Sequence, residues 1–472
     1  MNASNLPPVI SRPIPKTASP VMKLLGVGGM AAILLIPLGM IGAVLNERLH
    51  RRNGAVAEIT STWGRDQELV GPVLMIPYRS TRKVVRQQKV KGVVCEVEKV
   101  ETFVVKACFL PQSLDVEGNI RPEERRRGIY RAVVYSGSLK LKGVFSVPDF
   151  GAWKIDPKDV LWEEASISMA IPDLRGVREG LQITLGAQKI PLGPGSKIHG
   201  FNAGVWGKAA GMGWLTAEVP FELDLTLNGS SGIRFAPVGV QNTVKLDSSW
   251  PDPSFQGAFL PVERKVDGKG FSAIWRVSYY GRNYPQQWLE ADSAAFSPEA
   301  VRSSLFGVAF IAPIDSYRNV ERSTKYGALF VALVFAAFFL FEILARLRVH
   351  PLQYLLVGAA LCLFFLALLS LSELLSFGCA YFAAALVSAL LVTAYAHQVL
   401  KSGWRTLIVS AELAGIYGFL YVILQLQDYS LMVGTLGLFL VLAAVMYVTR
   451  KIDWYAQDDA VYRALISPDK KP

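Results

Sequence analysis

Glu412 stands inside a run of apolar residues, about six positions into the stretch 406–426. At ~1.5 Å per residue it would lie roughly 9–10 Å deep in a bilayer. An ionisable group there costs ~2.5–3.5 kcal/mol or more and is expected to face the bundle interior with a partner, either on a proton or ion path or as a structural carboxyl. Glu373 and Asp428 each fall between neighbouring apolar runs, where they could form a shared acidic rim at the outer face. Glu342 could pair with Arg346 one helical turn on. Cys95 and Cys108 sit in a strand-rich stretch that could fold back near residues 97–102. In an oxidising compartment that arrangement admits a disulfide, and the alternative is two unpaired thiols. His199 lies in a Gly-rich segment, 193–213, with Trp206 and Trp214. This segment reads as a binding loop with stacking faces or as a long connection between strands.

Catalytic signatures are missing. No G-x-S-x-G, H-E-x-x-H, C-x-x-C or phosphate-loop pattern occurs. Ser467-Pro-Asp-Lys470 spells S-x-x-K, but it sits in a polar tail. Glu163 and Glu164 are adjacent and would point to opposite faces of a strand. His199 is the only histidine between residues 51 and 325, so a His-rich zinc site has no support there. No cofactor and no metal are expected.

The elements that must hold these residues follow from composition. The chain has 472 residues, 51% hydrophobic and 18% charged, with four Cys. Its mean hydropathy is +0.32. Disorder and a disulfide scaffold are excluded. The net charge of +11 fits either nucleic acid or a membrane surface, and the distribution of apolar residues decides for the membrane. Residues 24–44 carry no charge and are long enough to cross ~30 Å of hydrocarbon. Five further runs occupy about 326–344, 352–371, 374–396, 406–426 and 429–448.

Between the first and second runs, residues 45–325 hold 37 basic and 30 acidic residues and read mainly as β. Alternating segments there are separated by Gly, Pro, Asn and Asp clusters, as in a sandwich or a larger twisted β assembly. Short helices are expected at about 51–63 and 297–306, the second from Ser297-Pro298-Glu299 as cap, first-turn proline and first-turn acid. The expected fold is an α+β membrane protein with one N-terminal and five C-terminal spans. Its parts are a Pro-rich cytoplasmic tail (1–23), a first helix (24–44), a periplasmic β-rich domain (45–325), a five-helix bundle (326–455) and a cytoplasmic tail (456–472).

The short links set orientation. Arg346 and Arg348, Lys401 and Arg405, and Arg450 and Lys451 fall on alternate links, and the links at Glu373 and Asp428 carry no base. The positive-inside rule then puts both termini in the cytoplasm of a bacterial cell and residues 45–325 in the periplasm. Arg48, Arg51 and Arg52 directly after the first span run against this, and the later links outweigh them. The expected partners are membrane lipids and envelope or peptidoglycan-associated proteins, not nucleic acid.

Several stretches make the chain resemble the CreD family of bacterial inner membrane proteins. They are Asn46-Glu-Arg48 with Arg51-Arg52, Gly71-Pro-Val-Leu74 with Pro77-Tyr78, Arg127-Gly-Ile-Tyr130, and Pro253-Ser-Phe-Gln-Gly-Ala-Phe-Leu-Pro261 with Asp315-Ser-Tyr317. Toward the C-terminus follow His350-Pro-Leu-Gln-Tyr-Leu-Leu-Val-Gly358, Leu371-Ser-Glu373, Tyr417-Gly-Phe-Leu-Tyr421, Gln425-Leu-Gln-Asp-Tyr429 and Arg450-Lys-Ile-Asp-Trp-Tyr455. The likeness runs from about residue 23 to 455. It implies six spans, a periplasmic β domain and a role in envelope integrity and tolerance of envelope stress, including β-lactams. It also implies expression under the CreB–CreC two-component system. It implies no catalytic residue. Where the resemblance implies histidine after Glu373, this chain has Leu374, which weakens a Glu–His proton relay. Three readings remain open: a non-enzymatic envelope protein, a transporter or lipid-handling protein using Glu412, and an enzyme with a site around His199.

Overall fold

The computed structural model describes residues 20–90, 93–177, 180–209, 217–310, 316–344, 349–426 and 429–450. Asp428, Arg346, Trp214 and the Ser467–Lys470 motif lie outside them. Two compact units result: Met1–Arg51 with Asp315–Pro472, and Arg52–Ile314.

The helices are α1 (Pro20–Trp63), α2 (Pro298–Arg302), α3 (Ser316–Lys325), α4 (Gly327–Leu344), α5 (Pro351–Ser372), α6 (Phe377–Leu400), α7 (Gly403–Gln425) and α8 (Ser430–Thr449). Five of the described helices are long and apolar enough to span a membrane. A bent pair of α3 and α4, meeting at 45°, makes six when taken as one span. In α1 the buried residues Val27, Leu34, Leu38, Ile41 and Leu45 recur at helical spacing and join the bundle core. Leu25, Ile36 and Met40, on its other face, are exposed and equally apolar, as suits a lipid-facing surface. Gly358 of α5 admits Leu34 closely, because a Cβ there would lie 2.0 Å from Leu34 Cδ1. His350 Nδ1 accepts from the Leu352 amide, and Gln353 returns the bond to the His350 amide. With Pro351 at the first position this is a complete capping box for α5.

No separate helix forms at 51–63. That stretch is the unbroken continuation of α1, in which Arg51, Arg52, Ala55, Ala57 and Glu58 favour helix. Its end is anchored in the second unit, where Trp63 Nε1 donates to the Tyr135 carbonyl and Glu58 pairs with Arg127. Ser297 caps α2 as expected, its hydroxyl accepting from the Ala300 amide.

The second unit contains two sheets. The strands are β1 (Gln67–Val90), β2 (Val93–Phe109), β3 (Ser113–Arg127), β4 (Tyr130–Phe145), β5 (Ser166–Ala170), β6 (Gln182–Leu185), β7 (Gln188–Pro191), β8 (Gly193–Pro194) and β9 (Gly204–Lys208). They continue with β10 (Val219–Ser230), β11 (Gly232–Phe235), β12 (Gln241–Ser248), β13 (Pro253–Gly257), β14 (Glu263–Asp267), β15 (Gly270–Ser278), β16 (Gln287–Leu289) and β17 (Phe306–Phe310). One sheet runs β13-β17-β11-β1-β5-β9-β8, with β2 on β1 and β16 on β2. The other runs β14-β15-β12-β3-β4-β10-β6-β7. Both are mixed, with β1 parallel to β11 and β3 parallel to β12.

Alternation sets the faces. In β3, Leu114, Val116 and Ile120 are buried while Asp115, Glu117 and Asn119 are exposed. The inward faces meet in a shared core: Trp275 of β15 packs on Phe255 of β13 and Phe306 of β17 at centroid distances of 5.7 and 6.1 Å. Tyr135 of β4 lies 5.3 Å from Phe310 and donates its buried hydroxyl to the Gly232 carbonyl.

One expectation is corrected. Cys95 and Cys108 lie on the same continuous strand, β2, opposite Gln88 and Met75 of β1. Thirteen extended residues separate them by roughly 43 Å at ~3.3 Å each, far beyond the ~7 Å between Cα atoms that a disulfide allows. Cys108 is a buried free thiol, which burial raises to about 12. The chain reverses between Val90 and Val93, not at 97–102, because residues 97–102 alternate without a breaker and Lys91-Gly92 supplies one.

Candidate functional site

In the helical unit the chemistry-bearing residues gather at the two ends of α5. At one end Glu342 of α4 is buried, 5% exposed, and accepts three hydrogen bonds. These come from Lys23 Nζ of α1 at 2.8 Å, Tyr354 Oη of α5 at 3.0 Å and the Val349 amide at 3.2 Å. Arg346, the partner expected from the sequence, lies outside the described residues; Lys23 lies 319 positions away, beyond the reach of any local signal. At the other end Glu373 caps α5. It accepts from Tyr317 Oη of α3 at 3.0 Å and lies 3.7 Å from Arg48 Nη1 of α1. The 22 residues of α5 set these two ties roughly 33 Å apart. Each binds α1 to the C-terminal helices, so both carboxylates serve helix assembly.

The interior between these ends is filled. Phe364 packs edge-on against Tyr381 and Tyr417 at centroid distances of 5.4 and 4.8 Å. Tyr417 Oη donates to Ser388 Oγ, Ser388 Oγ to the Ala360 carbonyl, and Tyr381 Oη to the Tyr417 carbonyl. No chain of titratable side chains crosses the bundle among the described residues.

Glu412 is elsewhere. It lines a lateral groove of about 440 Å³ bounded by Tyr326, α4, α7 and α8. The lining is apolar apart from Glu412, the Tyr326 hydroxyl, Ser430 and Thr435. Glu412 has no hydrogen bond or ion pair among the described residues, contrary to the expectation of a partner on a neighbouring helix.

In the second unit His199 is exposed and borders a cavity of only about 10 Å³ with Lys106, Cys108, Lys197, Trp288 and Glu290. That is room for about one water. Much of the Gly-rich segment is structural: β8 and β9 carry it, and Lys197 lies 4.4 Å over the Trp206 ring. A cavity of about 160 Å³ opens beside Asp66, Arg234 and Gln256. Burial raises the Asp66 pKa although Arg234 lies 2.5 Å from Oδ2. Among the described residues no group of His, Cys, Asp and Glu is arranged to hold a metal ion.

The feature that sequence reasoning missed is a projecting ribbon. β1 and β2 stay paired from Leu74↔Phe109 to Val90↔Val93. Third strands reach only their base, at Val70–Met75 and at Ala107–Phe109, with a single bridge at Tyr78. Beyond Tyr78 a two-stranded arm of twelve pairs, Arg79↔Val104 to Val90↔Val93, extends roughly 40 Å with both edges open among the described residues. It carries seven basic and three acidic residues. Toward its base Val104, Val100 and Phe103 are 59%, 60% and 46% exposed. The alternating pattern was readable in 93–107, and Lys91-Gly92 in the sequence was the missed turn signal.

Comparison with known proteins agrees with this architecture. The profile of the family described as "Inner membrane protein CreD" matches residues 19–455. The chain is 32% identical over 434 residues to "Inner membrane protein CreD" of Escherichia coli (strain K12), covering 92% of this chain and 93% of that protein. Among solved structures, the chain is similar to native yeast LTA4 hydrolase over 48% of this chain and 35% of that one, at 8% identity and a TM-score of 0.18. With a match across nearly its whole length, this chain belongs to the CreD family of inner membrane proteins.

Proposed function

We propose that this protein supports the integrity of the bacterial cell envelope under stress, β-lactams included, as a non-enzymatic membrane-anchored binding module. The alternation of basic links supports cytoplasmic termini and a periplasmic β region. The observation that carries the binding role is the two-stranded arm. A lone hairpin is marginal in water, and unpaired edges with exposed apolar side chains are normally blunted or covered. An arm of twelve pairs with Val100, Phe103 and Val104 exposed fits a surface completed by an envelope protein, by strand addition or by contact with these side chains. The aromatic packing inside the bundle among the described residues and the water-sized cavity at His199 favour this reading over transport or catalysis.

The test is the double variant Phe103→Asp with Val104→Asp in the full-length protein, expressed in a deletion strain challenged with a β-lactam or detergent. Protein should reach the membrane at normal levels while tolerance is lost. Tolerance equal to that given by the unsubstituted protein would refute the binding role of the arm.

A further inference from the structure

The lateral groove of the helical unit has three properties that belong together. It is about 440 Å³, within the roughly 300–1,000 Å³ of small-molecule sites. It is walled by segments of α4, α7 and α8 that read as membrane-spanning, so what it meets is hydrocarbon. Its carboxylate, Glu412, has no hydrogen bond or ion pair among the described residues. A charged or polar group at this depth is costly unless something pairs with it.

Glycines make the groove. Gly415 of α7 and Gly434 of α8 line it, and a Cβ on Gly415 would meet nothing within 4 Å, while one on Gly434 would only reach Ile423 Cδ1 at 4.0 Å. A Cβ on Gly418 would likewise meet nothing within 4 Å, whereas one on Gly437 would stand 2.1 Å from Phe419 Cζ. These missing side chains hold a space open.

We propose that the groove binds a single-chain membrane amphiphile whose head is a hydrogen-bond donor or a cation. The hydrocarbon chain lies between α7 and α8, and the head pairs with Glu412. This does not rest on the role of the arm. A plain hydrocarbon would leave the carboxylate unpaired, and an anionic head would repel it.

The probe is a photoreactive long-chain primary amine added to the purified full-length protein in nanodiscs, with labelled peptides identified by mass spectrometry. Saturable labelling confined to α4, α7 and α8 is expected. Gly415→Leu and Gly434→Leu, made separately, should each lower it at least tenfold, because both positions have room for the side chain and so keep the fold. Glu412→Leu should weaken the amine by about tenfold or more through the lost charge-assisted bond, and Glu412→Gln less. An alkane of equal length should not compete. The proposal is overturned by labelling spread over all lipid-facing helices, by undiminished labelling in a folded glycine variant, or by equal competition from the alkane. It is also overturned by a concentration-dependent dimer that the glycine variants abolish, since a second copy would then fill the groove.

Discussion

Gly143→Val is expected to abolish the folded β region. Gly143 sits in β4, paired with Leu114 of β3 on one side and Phe221 of β10 on the other. A Cβ at this position would stand 2.0 Å from the Ser113 carbonyl oxygen and 2.6 Å from Phe221 Cζ. The first neighbour is backbone in a paired strand and cannot move without breaking the ladder. The second is a ring held against Phe145 at 5.2 Å. A glycine where another backbone approaches this closely has no tolerated replacement. The cost should exceed the ~1–3 kcal/mol of ordinary overpacking, because both sides of a central strand are displaced. Limited proteolysis of the full-length protein should show residues 52–314 degraded; wild-type resistance would contradict the assigned register.

The second large effect is expected at Asp173. This side chain, 4% exposed, caps the turn Leu174–Gly176. It accepts from the Arg175 amide and Nε at 3.0 Å each, from Arg175 Nη2 at 2.8 Å and from the Arg65 amide at 3.1 Å. Gln67 Nε2 donates to the Asp173 carbonyl and to the Asn228 carbonyl, so the same point ties the start of β1 to β10. Burial pushes the carboxyl up, but the hydrogen bonds and charge of Arg175, with the Arg65 amide, outweigh it and hold it below the usual carboxylate range. The ionised form therefore stabilises the fold. That contribution is complete above the unfolded value, about pH 4, and is lost as pH falls through the depressed folded value. Asp173→Ala should cost about 2–4 kcal/mol at pH 7. Asp173→Asn should melt lower at pH 7 and lose less stability than the native protein between about pH 4 and pH 2. A parallel acid profile for Asp173→Asn would show that Asp173 is not the group responsible.

The membrane half of the architecture was legible in the sequence because hydrocarbon thickness imposes a length and a composition that few other structures need. The span boundaries, the β character of the middle region and the Ser297 cap all rest on such local signals. What failed depended on distance. Glu342 meets Lys23 and Glu373 meets Arg48, each hundreds of positions away, and Tyr317 reaches Glu373 from another helix, because helix assembly pairs residues distant in sequence. Cys95 and Cys108 fell on one strand because period-2 alternation reports a strand without saying where it turns. Glu412 stood out in the sequence as an ionisable residue inside an apolar run. That it has no partner among the described residues could not be read, because the groove arises from what Gly415 and Gly434 lack.

The central claim is that the β region acts by non-catalytic contact through its arm. The most direct test is to excise residues 79–104 and join Tyr78 to Val105 by Asn-Gly. Those two residues already face each other in the ladder, so a two-residue turn closes the shortened hairpin. No third strand in the described residues pairs with the excised stretch, and the sheets should remain protease-resistant. The account predicts a protein that accumulates in the membrane but gives the deletion strain no tolerance to β-lactam or detergent. Full tolerance from the shortened protein would contradict it.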